Sequence, residues 1–310
     1  MAEKKSNYIR FDWAIKRILR DKANFAVLEG LMTVLIGEKI RIVEILESES
    51  NQNSREDKYN RVDVKAKTES GEIILVEVQL GKESFFMPRI LFGVSKAITE
   101  QLKKGHGYKE IKKVYSISVL YFDLGEGEDY AYHGKFKFQG MTQPQSELRF
   151  TGSERKEVFP DNKSHTISAD EVFPEFFLLR VNQFNEVAKT PIEEWMDYLK
   201  DGSIKDNTQT PGLQEAREKL NYMMMTPDEQ HAYEDYIISV YAARDVILTA
   251  KTEGRAEGRA EGLAEGRAEG LVEGRAEASK LTARKMLERG FTKEDIMELT
   301  GLTAEELSQL

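Results

Sequence analysis

The sequence predicts an α/β (α+β) fold: a mixed sheet flanked by helices, then a helical region, a Glu-Gly repeat and a small helical C-terminal unit. Three observations carry this prediction. Residues 60–67 and 73–80 read as short strands, and residues 68–72 between them hold Gly71 and small polar groups, as a hairpin turn does. Apolar residues recur at helical spacing on both sides of that hairpin. From residue 253 to 276 a glycine returns every fourth position, a repeat that bounds any division into domains.

Taken in order, Phe11, Ala14, Ile15, Ile18 and Leu19 form one helical stripe. A second helix is expected over residues 25–36, with Gly37 as its stop and Glu29 in its middle. Residues 40–46 alternate apolar with charged groups and read as a strand, and residues 47–57 as a polar loop. After the hairpin, apolar residues from Met87 to Leu102 predict a helix over 87–104, closed by Gly105. Residues 114–122 are β-branched and aromatic, as in a buried strand. The order helix, strand, strand, strand, helix, strand makes a layered α/β core of roughly a hundred residues. A further hairpin is expected within 130–150 and a loop over 153–168; from Phe173 the pattern reads as mostly helical. Trp195, Met196, Tyr198 and Leu199 share one helix, Pro211-Gly212 breaks the chain, and residues 228–249 form another helix.

In the repeat, glycines 254, 258, 262, 266, 270 and 274 each cost a helix about 1 kcal/mol relative to Ala. Its i,i+4 neighbours are mostly Glu with Glu and Arg with Arg, which repel. The stretch is either a spacer or a helix that associates with a second copy through its glycines. Residues 279–310 read as three short helices, with Thr292 and Thr303 as N-caps and Gly290 and Gly301 as turns. The arrangement resembles a helix-turn-helix, although its last helix carries Glu305 and Glu306 and no Lys or Arg. The expected domains are 1–150 (α/β core), 151–250 (mostly helical extension), 251–278 (repeat) and 279–310 (small helical unit).

Composition narrows the function. There is no cysteine, and the four histidines are scattered, which excludes thiolate metal sites and the usual zinc spacings. No run approaches a membrane span, and the charged N-terminus has no apolar signal core behind it, so a cytoplasmic protein with no membrane partner is expected. The net charge of −9 argues against coating nucleic acid by bulk charge. Local binding is still open to the lysine-rich span from Lys96 to Lys113.

The hairpin carries the chemistry. Side chains alternate along a strand, so Asp63 shares a face with Lys65, and Glu77 shares one with Gln79. Closing the hairpin on those faces brings two carboxylates together, beside a carboxamide and an amine. Glu77 lies within the apolar run Ile73-Ile74-Leu75-Val76-Glu77-Val78, where an ionised carboxylate is costly unless paired or bound to metal. Paired carboxylates on strands can hold a divalent cation through oxygen, and this pattern points to a metal-dependent nuclease.

The residues around the hairpin carry a resemblance. They are Lys58-Tyr59-Asn60-Arg61-Val62-Asp63-Val64, Val76-Glu77-Val78-Gln79, Arg89 to Lys96, Val114 to Phe122, Asp129 to Gly134, Glu194-Trp195 and the Glu-Gly repeat. The chain resembles the Rpn-type recombination-promoting nucleases and transposases of bacteria, within the PD-(D/E)XK nuclease superfamily, over nearly its whole length. The resemblance implies an αβββαβ core, an Mg²⁺-dependent (or Mn²⁺-dependent) DNA endonuclease, and DNA as partner. The alternative is a weak or inactive nuclease-fold module that binds DNA or protein. Asp63 matches the motif Asp and Glu77 the (D/E), while Gln79 stands where the Lys usually is and Val62 replaces the Pro.

The metal ligands so implied are Asp63, Glu77 and the Val78 carbonyl, with Glu29 reaching the metal through water; Asp12, one helix earlier, is the rival for that helix acid. Lys65 is the first choice for the missing cation, with Lys82 and Arg89 following nearby. The DNA-backbone candidates are Arg89, Lys96, Lys103, Lys104, Lys112 and Lys113.

Overall fold

The computed structural model describes residues 8–46, 62–102, 107–151 and 166–310. The chain divides into two compact units, Met1–Tyr233 and Glu234–Leu310. The first unit begins with α1 (Phe11–Arg17), α2 (Phe25–Ile36), β1 (Ile42–Leu46), β2 (Val64–Thr68), β3 (Ile73–Gln79), α3 (Phe86–Thr99) and β4 (Val114–Leu120). This is the expected helix–strand–strand–strand–helix–strand order. Gly37 ends α2 in the left-handed region (φ 85°), as the stop signal implied. The loop expected over 47–57 lies outside the described residues, as does Gly105.

The chain continues with β5 (Ala131–Gly134), β6 (Arg149–Thr151), β7 (Thr166–Ser168) and β8 (Glu175–Arg180), then α4 (Pro191–Asp201) and α5 (Leu213–Lys219). Six strands form one sheet in the order β1-β2-β3-β4-β8-β5. β3, β4 and β8 run parallel, and the outer pairings are antiparallel. The hairpin expected within 130–150 is small: Gln139 bridges Glu147 antiparallel, and the Leu148 N–H donates to the Phe138 carbonyl, while β5 pairs with β8 and β6 with β7 in a separate ribbon. One expectation is corrected here: the mostly helical stretch does not begin at Phe173, since β8 lies beside β4 in the sheet and the first α-helix beyond it starts at Pro191. The run Phe176-Phe177-Leu178-Leu179 is short, apolar and preceded by Pro174, which suits a buried strand as well as a helix turn.

The sheet is covered on both faces. On one side Val94 and Ala97 of α3 pack on Ile73, Leu75 and Val114, while Phe86 and Ile90 pack on Leu120 and Phe122. On the other face Val64, Ala66, Ile74, Val76, Ile117 and Val119 are fully buried. The helices around that core are tied to one another by aromatic contacts: Phe11 of α1 meets Trp195 and Tyr198 of α4 edge-on, and the Tyr198 hydroxyl donates to the Ile9 carbonyl at 2.9 Å.

Glycine is required where α2 crosses the turn into α5. A Cβ on Gly30 would sit 2.2 Å from the backbone of Gly212, which is itself at φ 81°. Trp195 closes the same contact by donating its indole N–H to the Pro211 carbonyl at 3.1 Å.

In the second unit the main element is α6 (Pro227–Glu288), whose first seven residues lie in the first unit. The whole glycine repeat is helical. α7 (Lys293–Thr300) and α8 (Ala304–Ser308) follow, each with the expected threonine N-cap. Ala283, at the end of α6, packs with Ile296, Leu302 and Leu307 in a small core. No helix among the described residues is long and apolar enough to cross a membrane.

Gly30→Ala is expected to force α2 off the Pro211-Gly212 backbone and to lower stability by about 1–3 kcal/mol. Denaturant unfolding against wild type measures it; an unchanged midpoint would mean that this contact carries no load.

Candidate active site

The site is built by the register of the β2–β3 hairpin. Val64 pairs with Val76, Lys65 with Leu75, Ala66 with Ile74 and Lys67 with Ile73. Extending that register by one pair sets Asp63 opposite Glu77, whose own side chain lies on the α3 face of the sheet with Leu75. β2 begins only at Val64, so Asp63 lies just before the strand. Its Oδ2 accepts the Val78 backbone N–H at 2.7 Å, in place of the ladder bond that a longer β2 would make. That bond fixes the carboxylate while its Oδ1 faces Lys16 Nζ of α1 at 3.7 Å.

Glu77 is buried. Burial pushes its carboxyl above the usual carboxylate range; the Arg89 guanidinium pulls it back, and the nearby Asp63 and Glu83 charges push it up again. The cation that answers it is Arg89 of α3, whose Nη2 lies 2.5 Å from Glu77 Oε1 and 3.1 Å from Glu83 Oε2. The guanidinium also lies 5.2 Å from the centre of the Phe86 ring. Glu77, Arg89 and Ser116 form the polar part of a small pocket, and Val62, Leu75, Ile90 and Gly93 line the rest.

Gln79 takes a role that a lysine there could not. Its Oε1 accepts from Arg89 Nη2 at 3.4 Å, and its Nε2 donates to the Gly81 carbonyl at 3.2 Å and to Glu83 at 3.3 Å. A lysine has no acceptor and would set a second positive charge against Arg89. The positive charge at this end of β3 thus comes from the helix, through Arg89, and not from the strand.

Several sequence expectations are corrected by position. Lys65 does share the face of Glu77, but its ammonium pairs with Glu100 at 2.5 Å, beyond the C-terminal end of α3. Glu29 is not at the carboxylate pair. It accepts the Ile42 N–H at 2.7 Å, and Ile42 pairs with Thr68, five residues along β2 from Asp63 and so about 16 Å away. Of the two helices, α1 is the one that reaches Asp63, through Lys16. Its acid, Asp12, is fully buried and held by Arg10 Nη2 at 2.8 Å and by the Trp13 N–H at 2.9 Å.

Among the DNA-backbone candidates, Arg89 belongs to the site itself and Lys96 is half-buried on α3. Lys103 and Lys104 lie outside the described residues. Lys112 is exposed. Lys113 is half-buried in an ion pair with Glu175 at 2.5 Å, and Glu175 also contacts His133 Nε2 at 2.7 Å. Both lysines precede β4, whose first residue pairs with Ile73, four residues and about 13 Å from Glu77. Lys113 is therefore corrected from a phosphate contact to a structural cation.

No third acid, His or Cys completes a metal-binding group with this pair among the described residues. Asp63, Glu77 and the Val78 carbonyl nevertheless fit a divalent cation. They are hard oxygen donors, two of them anionic and opposed, and Glu77 is buried where it lacks full compensation.

Two family models match the chain. Residues 9–151 match the PD-(D/E)XK nuclease family transposase, and residues 277–310 match the C-terminal HTH domain of the Rpn/YhgA-like nuclease family. No curated protein and no solved structure matches the chain.

Glu29→Ala is expected to lower stability by about 1.5–3 kcal/mol, by removing a charged acceptor from the Ile42 N–H, and to leave Mn²⁺ binding unchanged. Unfolding and calorimetric titration of the same sample check both halves; weakened Mn²⁺ binding would return Glu29 to the site.

Proposed function

Since the chain belongs to the Rpn-type transposases of the PD-(D/E)XK nuclease family, we propose that it is an Mg²⁺-dependent DNA endonuclease, with Mn²⁺ able to substitute. The observation that carries this reading is the Asp63–Glu77 pair, opposed by strand register, with the Val78 N–H bound to Asp63 Oδ2. PD-(D/E)XK nucleases generally use divalent metals. Here Asp63, Glu77 and the Val78 carbonyl would hold the ion, which when bound supplies a Lewis acid for the phosphate and lowers the pKa of the attacking water.

The chain's own residues do the rest. The Val78 N–H orients Asp63, Arg89 presents a permanent positive charge beside Glu77 for the scissile phosphate, and Gln79 positions Arg89. Lys16 adds a second cation next to Asp63. The proposed organisation keeps the nuclease core at residues 1–150, now joined by β8 from the 151–250 extension. The repeat at 251–278 and the C-terminal unit at 279–310 follow.

The C-terminal HTH match suggests DNA binding. Glu305 and Glu306 stand at the start of α8, and Glu306 folds back into its own capping box, so phosphate contacts would come from elsewhere in that unit. Self-association through α6 belongs to the same proposal. Its six repeat glycines meet nothing within 4 Å, Leu263, Leu271 and Val272 are exposed, and a lone helix of this makeup lacks intrahelical support. A second reading, a nuclease fold that binds DNA or protein without cutting, is favoured by one observation: Arg89 occupies Glu77 Oε1 in this state.

Asp63→Ala and Glu77→Ala are each expected to abolish Mg²⁺-dependent nicking of supercoiled plasmid, whereas Lys65→Ala retains it because that ammonium serves Glu100. Wild-type-like nicking by either acid variant, with folding verified by circular dichroism, would sink the endonuclease reading. Wild type inert with both metals would favour the non-cutting one.

Removing residues 253–310 is expected to lower the oligomeric state seen by light scattering at matched concentration. An unchanged state would leave the repeat without a role in association.

A further inference from the structure

Arg89 holds a position that a bound cation would contest. Its ion pairs with Glu77 and Glu83 and its hydrogen bond to Gln79 all use the same nitrogen, Nη2. The two-nitrogen fork that arginine ordinarily presents to an oxyanion is not formed with Glu77. The Nε is buried with no partner among the described residues. A buried donor left unpaired is costly, so this seat satisfies Arg89 only in part. Beside it, Glu83 and Gln79 offer the guanidinium a second resting place, on the loop between β3 and α3. The side chain runs against the Phe86 ring, which stays buried in the core under α3 and supplies a fixed pivot.

A guanidinium stays protonated in proteins, so a pH change does not release it from Glu77. What can release it is a competing anion that accepts from two of its nitrogens at once, and a DNA phosphate is such an anion. A divalent cation, in turn, would bind Glu77 against the repulsion of a guanidinium whose Nη2 lies 2.5 Å from Oε1. Each event therefore favours the other.

We propose that the Arg89–Glu77 ion pair is a latch that makes DNA and the divalent cation bind cooperatively. Without DNA, Arg89 covers Glu77 and depresses affinity for the cation. A backbone phosphate draws the guanidinium away and opens Glu77 to the metal. The inference rests on the reading of Asp63 and Glu77 as cation ligands, and it adds that the enzyme stays quiet toward metal until substrate arrives. Such linkage is reciprocal: the metal raises affinity for DNA by the same factor.

The test is calorimetric titration of the full-length protein with Mn²⁺, alone and with a phosphorothioate duplex that resists cleavage. Wild type is expected to bind Mn²⁺ about tenfold more tightly with the duplex, a shift of about 1.4 kcal/mol. Arg89→Met keeps the stem against Phe86 and removes the charge. It is expected to bind Mn²⁺ about tenfold more tightly than wild type without DNA, to gain little from the duplex, and to lose this affinity when Asp63→Asn is added. Arg89→Lys, which keeps the charge without the fork, is expected to resemble wild type without DNA and to show a reduced gain with it. Thermal unfolding with and without Mn²⁺ confirms that each variant is folded. Equal Mn²⁺ affinity of wild type and Arg89→Met without DNA, or an equal gain from the duplex in both, overturns the latch while nicking by wild type keeps the nuclease reading intact. The expected affinities in a wild type that nicks nothing would instead keep the latch and remove the nuclease.

Discussion

The site depends on one strand register, and that register depends on one turn. Thr68 and Glu72 close the hairpin between β2 and β3 with a backbone bond at 3.0 Å, the Glu72 N–H reaches the Thr68 hydroxyl at 3.1 Å, and Gly71 supplies φ 89°. A slip of one residue would turn every side chain of β2 to the opposite face. Val64 and Ala66, both fully buried, would then leave their core, and Glu77 would have no opposite acid. The apolar alternation of β2 resists such a slip. The same burial that holds the sheet together thus holds the two carboxylates in opposition.

Opposition creates an electrostatic problem, which the chain answers from two helices. Lys16 arrives from α1 and Arg89 from α3, so the positive charge is carried by elements packed on the sheet and not by the acidic strand itself. This explains Gln79 as more than a lost lysine. With Arg89 already at Glu77, a carboxamide that accepts from the guanidinium and donates to Gly81 and Glu83 is the better neighbour. The strand position and the helix position form one unit, and neither residue can be interpreted alone.

How much of this was legible in the sequence follows from the range of each interaction. The hairpin, its polar turn and the period-3.6 stripes are local, and the element order through β4 could be read from them. β8 could not, because four apolar residues flanked by Glu175 and Arg180 suit a strand or a buried helical turn, and only its pairing with β4 and β5 decides. Glu77 was legible because alternation along β3 fixes its face, and Asp63 because the hairpin sets it opposite Glu77. Lys65 was placed on the right face but given the wrong partner, since a long flexible side chain reaches whichever carboxylate is nearer, here Glu100. Glu29 was misplaced because sequence does not say which end of β1 the helix meets. Lys16 was missed for want of any local signal. Arg89 had one: a lone arginine within the first turns of the helix that follows the acidic strand, on the side that flanks the buried residues Phe86 and Ile90.

Charge distribution supplies the last constraint. The chain carries −9 overall, so DNA must be attracted by local positive potential and not by the whole molecule. Of the described residues in the lysine-rich span, Lys112 and Lys113 do not provide that potential at the site. Lys113 is spent on Glu175, and Lys112 lies near the start of β4, at the other end of β3 from Glu77. Among the described residues, the cations paired with the two carboxylates are Lys16 and Arg89, few enough that the two acids nearly cancel them. A site so balanced attracts phosphate weakly until a cation offsets Asp63 and Glu77, and it holds a cation weakly until phosphate has taken Arg89. The scarcity of positive charge, and not its abundance, is therefore what would tie catalysis to the presence of both partners.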